Sequence, residues 1–115
     1  MKKNSEKFVF AGETLKEDIG GGITRQILGY DGSLMLVKAW FEENAEGYTH
    51  AHHHAQVTYV ESGEFEFSVD GETKTVKAGD SVYIPPHAPH GAICTKAGVL
   101  IDTFSPVRED FIEDK

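Results

Sequence analysis

The sequence predicts an all-β fold in which the strands close into a barrel or form two packed sheets. Short runs rich in β-branched and aromatic residues alternate with turn signals from residue 8 onward, and no segment sustains helical periodicity. Many short strands at this spacing would leave unpaired edges in an open sheet, which a closed or double-sheet barrel avoids. The 115 residues suffice for one domain with a modest core.

Turn chemistry divides the chain into its predicted strands. Separators such as DGS, SG, DG, AGD and KAG are rich in turn-forming residues. The clearest unit is a hairpin from Phe65 to Val76, in which Asp70-Gly71 forms a two-residue turn with positive φ. We expect one domain, 1–115, with residues 1–20 as an arm and 105–115 as a cap. The strand candidates are 23–30, 34–41, 55–60, 64–69, 73–77, 81–84, 91–94 and 99–104.

The composition excludes several classes of partner. Eleven Lys and Arg stand against 19 Asp and Glu, and the net charge of −8 argues against nucleic acid or an anionic membrane as a partner. An anionic small molecule would therefore need a local cationic pocket. The single cysteine, Cys94, rules out an intrachain disulfide and is typical of a reducing compartment. With no signal-peptide stretch and no transmembrane run, the sequence predicts a cytoplasmic protein.

Four of the six histidines lie within residues 50–54. In an extended strand, residues i and i+2 point to the same face, so a His-x-His pair can converge on one metal ion. Two such pairs exist, His50/His52 and His52/His54. Gln56, four residues after His52, offers a coordinating oxygen, whereas Thr58, four after His54, is a poor ligand. The first register is therefore favoured, with a solvated polar strand as the alternative.

Two histidines of this run have other expected positions. Alternation puts His53 on the opposite face, at the surface. His54 falls on the metal face by alternation, yet a bulge before Gln56 would turn it away, and the sequence leaves both possibilities open.

A second, remote histidine cluster lies in AGDSVYIPPHAPHGAIC, residues 78–94. Prolines end its short strand, and His90 follows in a tight connection that can direct it towards the same interior. His87, between Pro86 and Ala88 in the turn, is expected to be exposed.

The strand 99–104 contains a carboxylate among apolar neighbours. Leu100, Asp102 and Phe104 share one face, which we expect to be the inner one. Burying Asp102 costs several kcal/mol unless it is paired, protonated or near a cation. A structural pair with Arg108 and a catalytic role are both open at this point.

These residues resemble the two signature motifs of the cupin superfamily. The first matches at His50, His52 and Gly63, with Gln56 where an acidic ligand usually stands. The second matches at Gly79, Pro85 and His90, with His87 at its second glycine and Cys94 at its asparagine. The resemblance implies a double-stranded β-helix, or jelly-roll barrel. It also implies a divalent transition metal (Ni, Zn, Fe, Mn or Co) held by His50, His52, Gln56 and His90.

A narrower likeness covers residues 15–111. The strings HAHHHAQVTYV, VKAGDSVYIPPHAPHGA and GVLIDTFSPVREDF are similar to small single-domain cupins known as pectin degradation proteins, with departures at His53, Ala55 and VESGE. This resemblance implies a non-redox enzyme that opens and ketonises 4,5-unsaturated uronates, and it implies a homodimer. Asp102 would be the general acid/base, Phe104 an apolar wall for the sugar ring, and Arg108 a clamp for the uronate carboxylate.

Other functions and other cations also fit the sequence. A different metal-dependent cupin enzyme, such as an Fe dioxygenase, and a non-catalytic sugar-binding cupin are the two alternatives. Because the protein is acidic, Arg25 and Lys38 are further candidate cations for an anionic substrate, and Lys38, which alternates with apolar residues in LMLVKAWF, is expected to line the mouth of the barrel.

Overall fold

The strands form an antiparallel all-β fold, as predicted. The computed structural model describes residues 1–113, and among these no helix is both long and apolar enough to cross a membrane. A 3-10 turn, Ala11–Glu13, precedes the strands, and a single helical turn, α1 (Glu109–Ile112), follows them. The strands are β1 (Glu17–Gly20), β2 (Ile23–Asp31), β3 (Leu34–Phe41), β4 (Glu46–His50), β5 (Ala55–Val69), β6 (Glu72–Lys77), β7 (Ser81–Ile84) and β8 (His90–Ser105).

Two long strands, β5 and β8, connect the two halves of the fold. The sheet runs β1-β2-β3-β8-β5-β6, with β4 also paired to β8 and β7 to β5. The first half of β5 pairs with the second half of β8, and the second half of β5 with the first half of β8. One face of the barrel is therefore β1-β2-β3-β8-β5-β7 and the other is β4-β8-β5-β6, an arrangement consistent with a jelly roll.

The continuity of these two strands differs from the prediction, which divided each of them at a glycine-containing turn. Gly63 has a φ of 81°, and a Cβ at that position would lie 2.6 Å from the carbonyl oxygen of Ala97. A Cβ at Gly98 would collide with the carbonyl oxygen of Ser62. Because both glycines lack a side chain, the two backbones cross closely and the ladder bends with a register shift instead of ending.

The strand register places polar side chains of neighbouring strands next to one another on the inner face of the barrel. Asp102 lies between Val37 on β3 and Thr58 on β5, and Phe104 pairs with Gln56. Leu100 and Phe104 are each 3% exposed, so the predicted inner face of β8 is confirmed. Gln56 and Thr58 alternate on the corresponding face of β5 and are also buried. Polar groups on neighbouring strands therefore meet inside an otherwise apolar barrel.

The N-terminal segment lies against β2. The buried amide of Gln26 donates to the carbonyl oxygens of Ala11 and Thr14 at 2.9 and 3.0 Å, which fixes the 3-10 turn on the sheet. The last residues of the predicted arm form β1, which pairs with β2. Of the predicted cap 105–115, residues 114 and 115 lie outside the described residues.

Candidate metal centre

Three of the four predicted metal ligands converge from different strands. His50, His52 and His90 each present a ring nitrogen, and these nitrogens all lie within 4.8 Å of one another. The prediction that His50 and His52 share one extended strand is wrong, because β4 ends at His50 and His52 belongs to the irregular link 51–54. Pairing of His50 with His90 across β4 and β8 brings the two clusters together instead.

Backbone carbonyls fix the tautomer of all three rings. The Nδ1 atoms of His50, His52 and His90 lie 2.8, 3.2 and 2.9 Å from carbonyl oxygens, those of Tyr48, His54 and Ala88. Since a carbonyl only accepts, each Nδ1 carries the proton and each Nε2 presents a lone pair. The buried Nε2 of His90 has no hydrogen-bond partner among the described residues. Metal-binding histidines are typically oriented in this way.

Gln56 turns its amide oxygen towards these lone pairs. Its Nε2 donates to Thr58 Oγ1 at 2.9 Å and to Asp102 Oδ1 at 3.3 Å. Its Oε1 therefore faces His52 Nε2 at 3.1 Å, although both of these atoms are acceptors. Two acceptors this close are stable when a cation lies between them. The donor set of three imidazoles and one amide oxygen thus fits a divalent transition metal.

The environment keeps the imidazoles of His52 and His90 neutral. Burial lowers the pKa of His52 to about 4, and the positive charge of Arg108 and the neighbouring His90 add to this effect. Burial also lowers the pKa of His90. Neutral imidazole is the form that binds metal, so these rings are available at neutral pH.

Asp102 lies on the inner face immediately behind Gln56. Thr58 Oγ1 donates to Asp102 Oδ1 at 2.6 Å. Burial raises the pKa of Asp102, and the hydrogen bonds from Thr58 and Gln56 oppose this shift in part. A carboxyl group in this setting can hold a proton at a pH where an ordinary aspartate is ionised.

Arg108 is paired within the C-terminal segment and not with Asp102. Its Nε and Nη2 donate to the two carboxylate oxygens of Asp110 at 3.0 and 2.9 Å, so the alternative of a structural Asp102–Arg108 pair is wrong. The guanidinium lies 4.2 Å from the ring centre of Phe111 and 5.2 Å from that of Phe104. Among residues 1–113, its Nη1 has no hydrogen-bond partner.

One cavity of about 140 Å³ joins these groups. His52 lies beside it, with its ring centre 5.9 Å from that of Phe104. The site residues predicted from the sequence that line the cavity are His50, Gln56, His90, Asp102, Phe104 and Arg108.

The remaining histidines of the two clusters lie outside the metal centre. His53 and His87 are exposed, as expected, and His87 has a φ of 68° at the position where the motif has glycine. His54 is 3% exposed and turns away from the metal centre, with Nε2 3.0 Å from the carbonyl oxygen of Val107. The irregular link before β5 therefore overrides strict alternation at His54.

Of the two further cations, one lies near the cavity. Lys38 is on the outer face of β3, where it pairs with Glu61 at 3.3 Å, so its placement at the barrel mouth is wrong. Arg25 lies 4.1 Å from the ring centre of Phe111 and thus borders the cap. Sequence reasoning missed two residues of the site, Thr58 and Phe111. Thr58 could have been found, since it is two residues after Gln56 on the same face, whereas Phe111 gave no signal within its acidic segment.

Comparisons with known proteins cover almost the whole chain. The cupin domain family matches residues 39–104. The pectin degradation protein KdgF of Dickeya dadantii (strain 3937) is 41% identical over 102 residues, which are 87% of this chain and 93% of that protein. The crystal structure of an RmlC-like cupin from Shewanella frigidimarina NCIMB 400 is 57% identical with a TM-score of 0.94, covering 96% of this chain and 100% of the other. The structure of KdgF from Halomonas sp. is 34% identical with a TM-score of 0.88, covering 94% and 100%.

Proposed function

This chain belongs to the cupin family, as a relative of the pectin degradation protein KdgF, and we propose that it is a metal-dependent enzyme of uronate breakdown. The proposed reaction opens 4,5-unsaturated uronate monosaccharides and ketonises them to linear 4-deoxy-5-keto uronates. The observation that carries the proposal is the half-buried carboxyl of Asp102, hydrogen-bonded to Gln56 and Thr58 in the cavity that Arg108 and the histidines share.

The residues that would hold the metal are His50, His52, Gln56 and His90. When bound there, the metal would supply a Lewis acid that polarises a hydroxyl or carboxylate oxygen of the sugar. The ligand types suit Ni, Zn, Fe, Mn or Co.

Arg108 is positioned to bind the carboxylate of the substrate. Asp110 occupies its Nε and Nη2, so Nη1 can donate to a ligand in the cavity. A net charge of −8 repels an anionic sugar at long range, which makes the local positive charge of Arg108 important. Arg25 also lies against the Phe111 ring, but it is paired with Glu17 at 3.4 Å. The ring of Phe104 supplies an apolar wall against which a sugar ring can pack.

The proposed chemistry is an isomerisation. The proton of the C1 hydroxyl moves to the ring oxygen as the bond from C1 to that oxygen breaks, so C1 becomes an aldehyde and the released oxygen remains on C5 as an enol hydroxyl. The enol then loses its hydroxyl proton, C4 gains one, and C5 becomes a ketone. Asp102 would give the proton to C4 and recover one from the enol, a role that suits a carboxyl with a raised pKa. Atoms and electrons balance without an oxidant or reductant.

The test is a direct assay of the conjugated double bond. Metal-loaded protein is mixed with 4,5-unsaturated galacturonate, and in parallel with the alginate-derived isomer, while ultraviolet absorbance and dissolved oxygen are recorded. We expect the absorbance to decay without oxygen uptake, and Asp102→Ala to stop the decay while retaining the metal. Decay no faster than in a protein-free control would refute the proposal, and oxygen consumption would point to a dioxygenase instead.

We also expect the protein to be a homodimer and to be cytoplasmic. Light scattering after gel filtration tests the homodimer, and cell fractionation tests the cytoplasmic location.

A further inference from the structure

The buried imidazole of His54 has no place in the metal centre or in the proposed reaction. It is 3% exposed, and it belongs to the link 51–54 that also carries the metal-binding residue His52. Its side chain points across to the C-terminal segment that carries Arg108. A buried polar ring between two functional segments calls for a physical explanation.

The ring contacts the chain on both sides of Arg108. His54 Nε2 lies 3.0 Å from the carbonyl oxygen of Val107 and 3.3 Å from Oε1 of Glu109. Both of these atoms are acceptors, so Nε2 carries the proton and donates to them. Val107 and Glu109 are the residues immediately before and after Arg108, which means that one imidazole fixes both flanks of the arginine.

The backbone of the same residue acts on the metal side. The carbonyl oxygen of His54 accepts from Nδ1 of His52 at 3.2 Å and so orients that ring. We propose that His54 is a positioning residue, a joint that sets Arg108 at a fixed place relative to the metal-binding histidines. The substrate-binding part of this inference rests on the proposed function, whereas the joint itself does not.

The C-terminal segment needs such a tie. Its helix α1 has four residues, far fewer than an isolated helix requires. The Arg108–Asp110 pair and the bond from Phe111 N to Arg108 O lie within the segment, so neither attaches it to the barrel. One backbone bond does attach it, because Val107 N donates to the carbonyl oxygen of Gly32 at 3.3 Å. Phe111 packs edge-on against Phe104 with ring centres 5.8 Å apart, which is an apolar contact without directional hydrogen bonds. The imidazole adds a directional contact to this packing.

A second metal site at the same place is the competing explanation. Ligand atoms of His53, His54 and Glu109 lie within 4.8 Å of one another. However, Nε2 of His54 has its proton committed to Val107, and its Nδ1 is buried without a partner among residues 1–113. Neither nitrogen thus presents an accessible lone pair, and the contacts favour a joint over a metal site.

The test compares variants that keep or remove the donor at Nε2. His54→Phe keeps the ring and removes the donor, His54→Gln keeps an N–H near the same position, and His53→Phe changes the exposed neighbour as a matched control. With metal content unchanged, we expect the KM for the unsaturated uronate to rise about tenfold in His54→Phe, the scale of one lost hydrogen bond to a charged or buried group. The change in kcat should be smaller, and His54→Gln should recover most of the loss.

A double-mutant cycle tests whether His54 acts through Arg108. In an Arg108→Ala background, His54→Phe should cause no further rise in KM, because the group that it positions is gone. Additive effects of the two substitutions would overturn the inference.

Amide hydrogen exchange of the metal-free protein gives a readout independent of activity. Exchange at Val107 to Phe111 should be faster in His54→Phe than in the parent chain and unchanged in His53→Phe. If exchange in this segment is unaffected, the joint is refuted even where turnover falls. If the parent chain does not convert uronates, the proposed function is refuted. Amide hydrogen exchange would still test whether His54 holds the C-terminal segment in place.

A second pair of variants and a zinc titration also test the role of His54. Should His54→Phe not fold, the pair His54→Gln and His54→Asn replaces it, since the shorter asparagine places its amide near Nδ1 and cannot reach Val107. Titration of the parent chain with Zn²⁺ should give one equivalent per chain. A second equivalent that His53→Phe abolishes would overturn the joint in favour of a metal site.

Discussion

Replacing Thr58 with valine should weaken metal binding without altering any metal ligand. Valine has the shape of threonine but lacks Oγ1, and Thr58 is 0% exposed, so the change is nearly isosteric inside the barrel. The lost hydroxyl accepts from Gln56 Nε2 at 2.9 Å and donates to Asp102 Oδ1 at 2.6 Å. Without it, the amide of Gln56 loses the contact that turns its oxygen towards His52.

The magnitude follows from these two hydrogen bonds. The bond to the amide is neutral and contributes about 0.5–1.5 kcal/mol, and the bond to the carboxyl contributes about 1.5–3 kcal/mol if that group is ionised. The first bears directly on metal binding, and about 1.4 kcal/mol corresponds to a tenfold change in Kd. We therefore expect Thr58→Val to weaken metal binding about tenfold, within the range typical of residues that orient metal ligands. Turnover should fall further, because Asp102 loses its closest donor.

The assay is competition for Co²⁺ or Zn²⁺ against a chromophoric chelator, followed by kinetics on the metal-saturated protein. Thr58→Ser, which keeps the hydroxyl, should restore both properties. Thr103→Val is the matched control, since Thr103 follows Asp102 on β8 but points to the opposite face. If folded Thr58→Val binds metal as tightly as Thr103→Val does, Thr58 does not orient Gln56 and the reasoning is refuted.

Four further predictions follow from the same contacts. Asp102→Asn should abolish turnover yet retain the metal. Burial raises the pKa of Asp102, so above the ordinary aspartate pKa the charged carboxylate destabilises the folded state. In urea denaturation, the metal-free variant should therefore be more stable than the parent at pH 7 but not at pH 4. Arg108→Lys should raise KM about tenfold with less effect on kcat in steady-state assays, since lysine lacks the planar fork. Metal at 100 times its Kd should stabilise the fold by about 2.7 kcal/mol in thermal melts, a gain that a chelator or His90→Ala removes. The pKa of His52 is lowered to about 4 in the folded state, so as pH falls the unfolded chain binds a proton at this ring before the folded chain does. The metal-free protein should therefore lose stability as pH falls from about 6.5 towards 4. His52→Gln should make its free energy of unfolding depend less on pH over this range.

Local rules were enough to predict much of the fold. The two-residue turn at Asp70-Gly71 has positive φ at both residues, as its sequence indicates. The alternation of Leu100, Asp102 and Phe104 places all three on the inner face. These features depend on the two-residue period of a strand and on turn chemistry, which neighbouring residues determine between themselves.

Contacts between distant segments determined the parts of the fold that differ from the sequence prediction. The sequence indicated breaks near Gly63 and Gly98, yet at these glycines the long strands β5 and β8 cross and continue. Strand β4 was not predicted, since its residues Glu46–His50 show no apolar alternation and depend on pairing with β8.

The candidate site likewise combines features set by neighbouring residues with features set by contacts between distant segments. The sequence by itself determined the kinds of candidate ligand and their spacing, together with a carboxylate on an inward strand face, because residue type and alternation are properties of the chain. The tertiary structure decided that His50 meets His90 across a strand pair, that Thr58 joins Gln56 to Asp102, and that His54 turns towards Val107. Each of these depends on which strands become neighbours and in what register. That outcome depends on packing over the whole barrel, and no short stretch of sequence contains it.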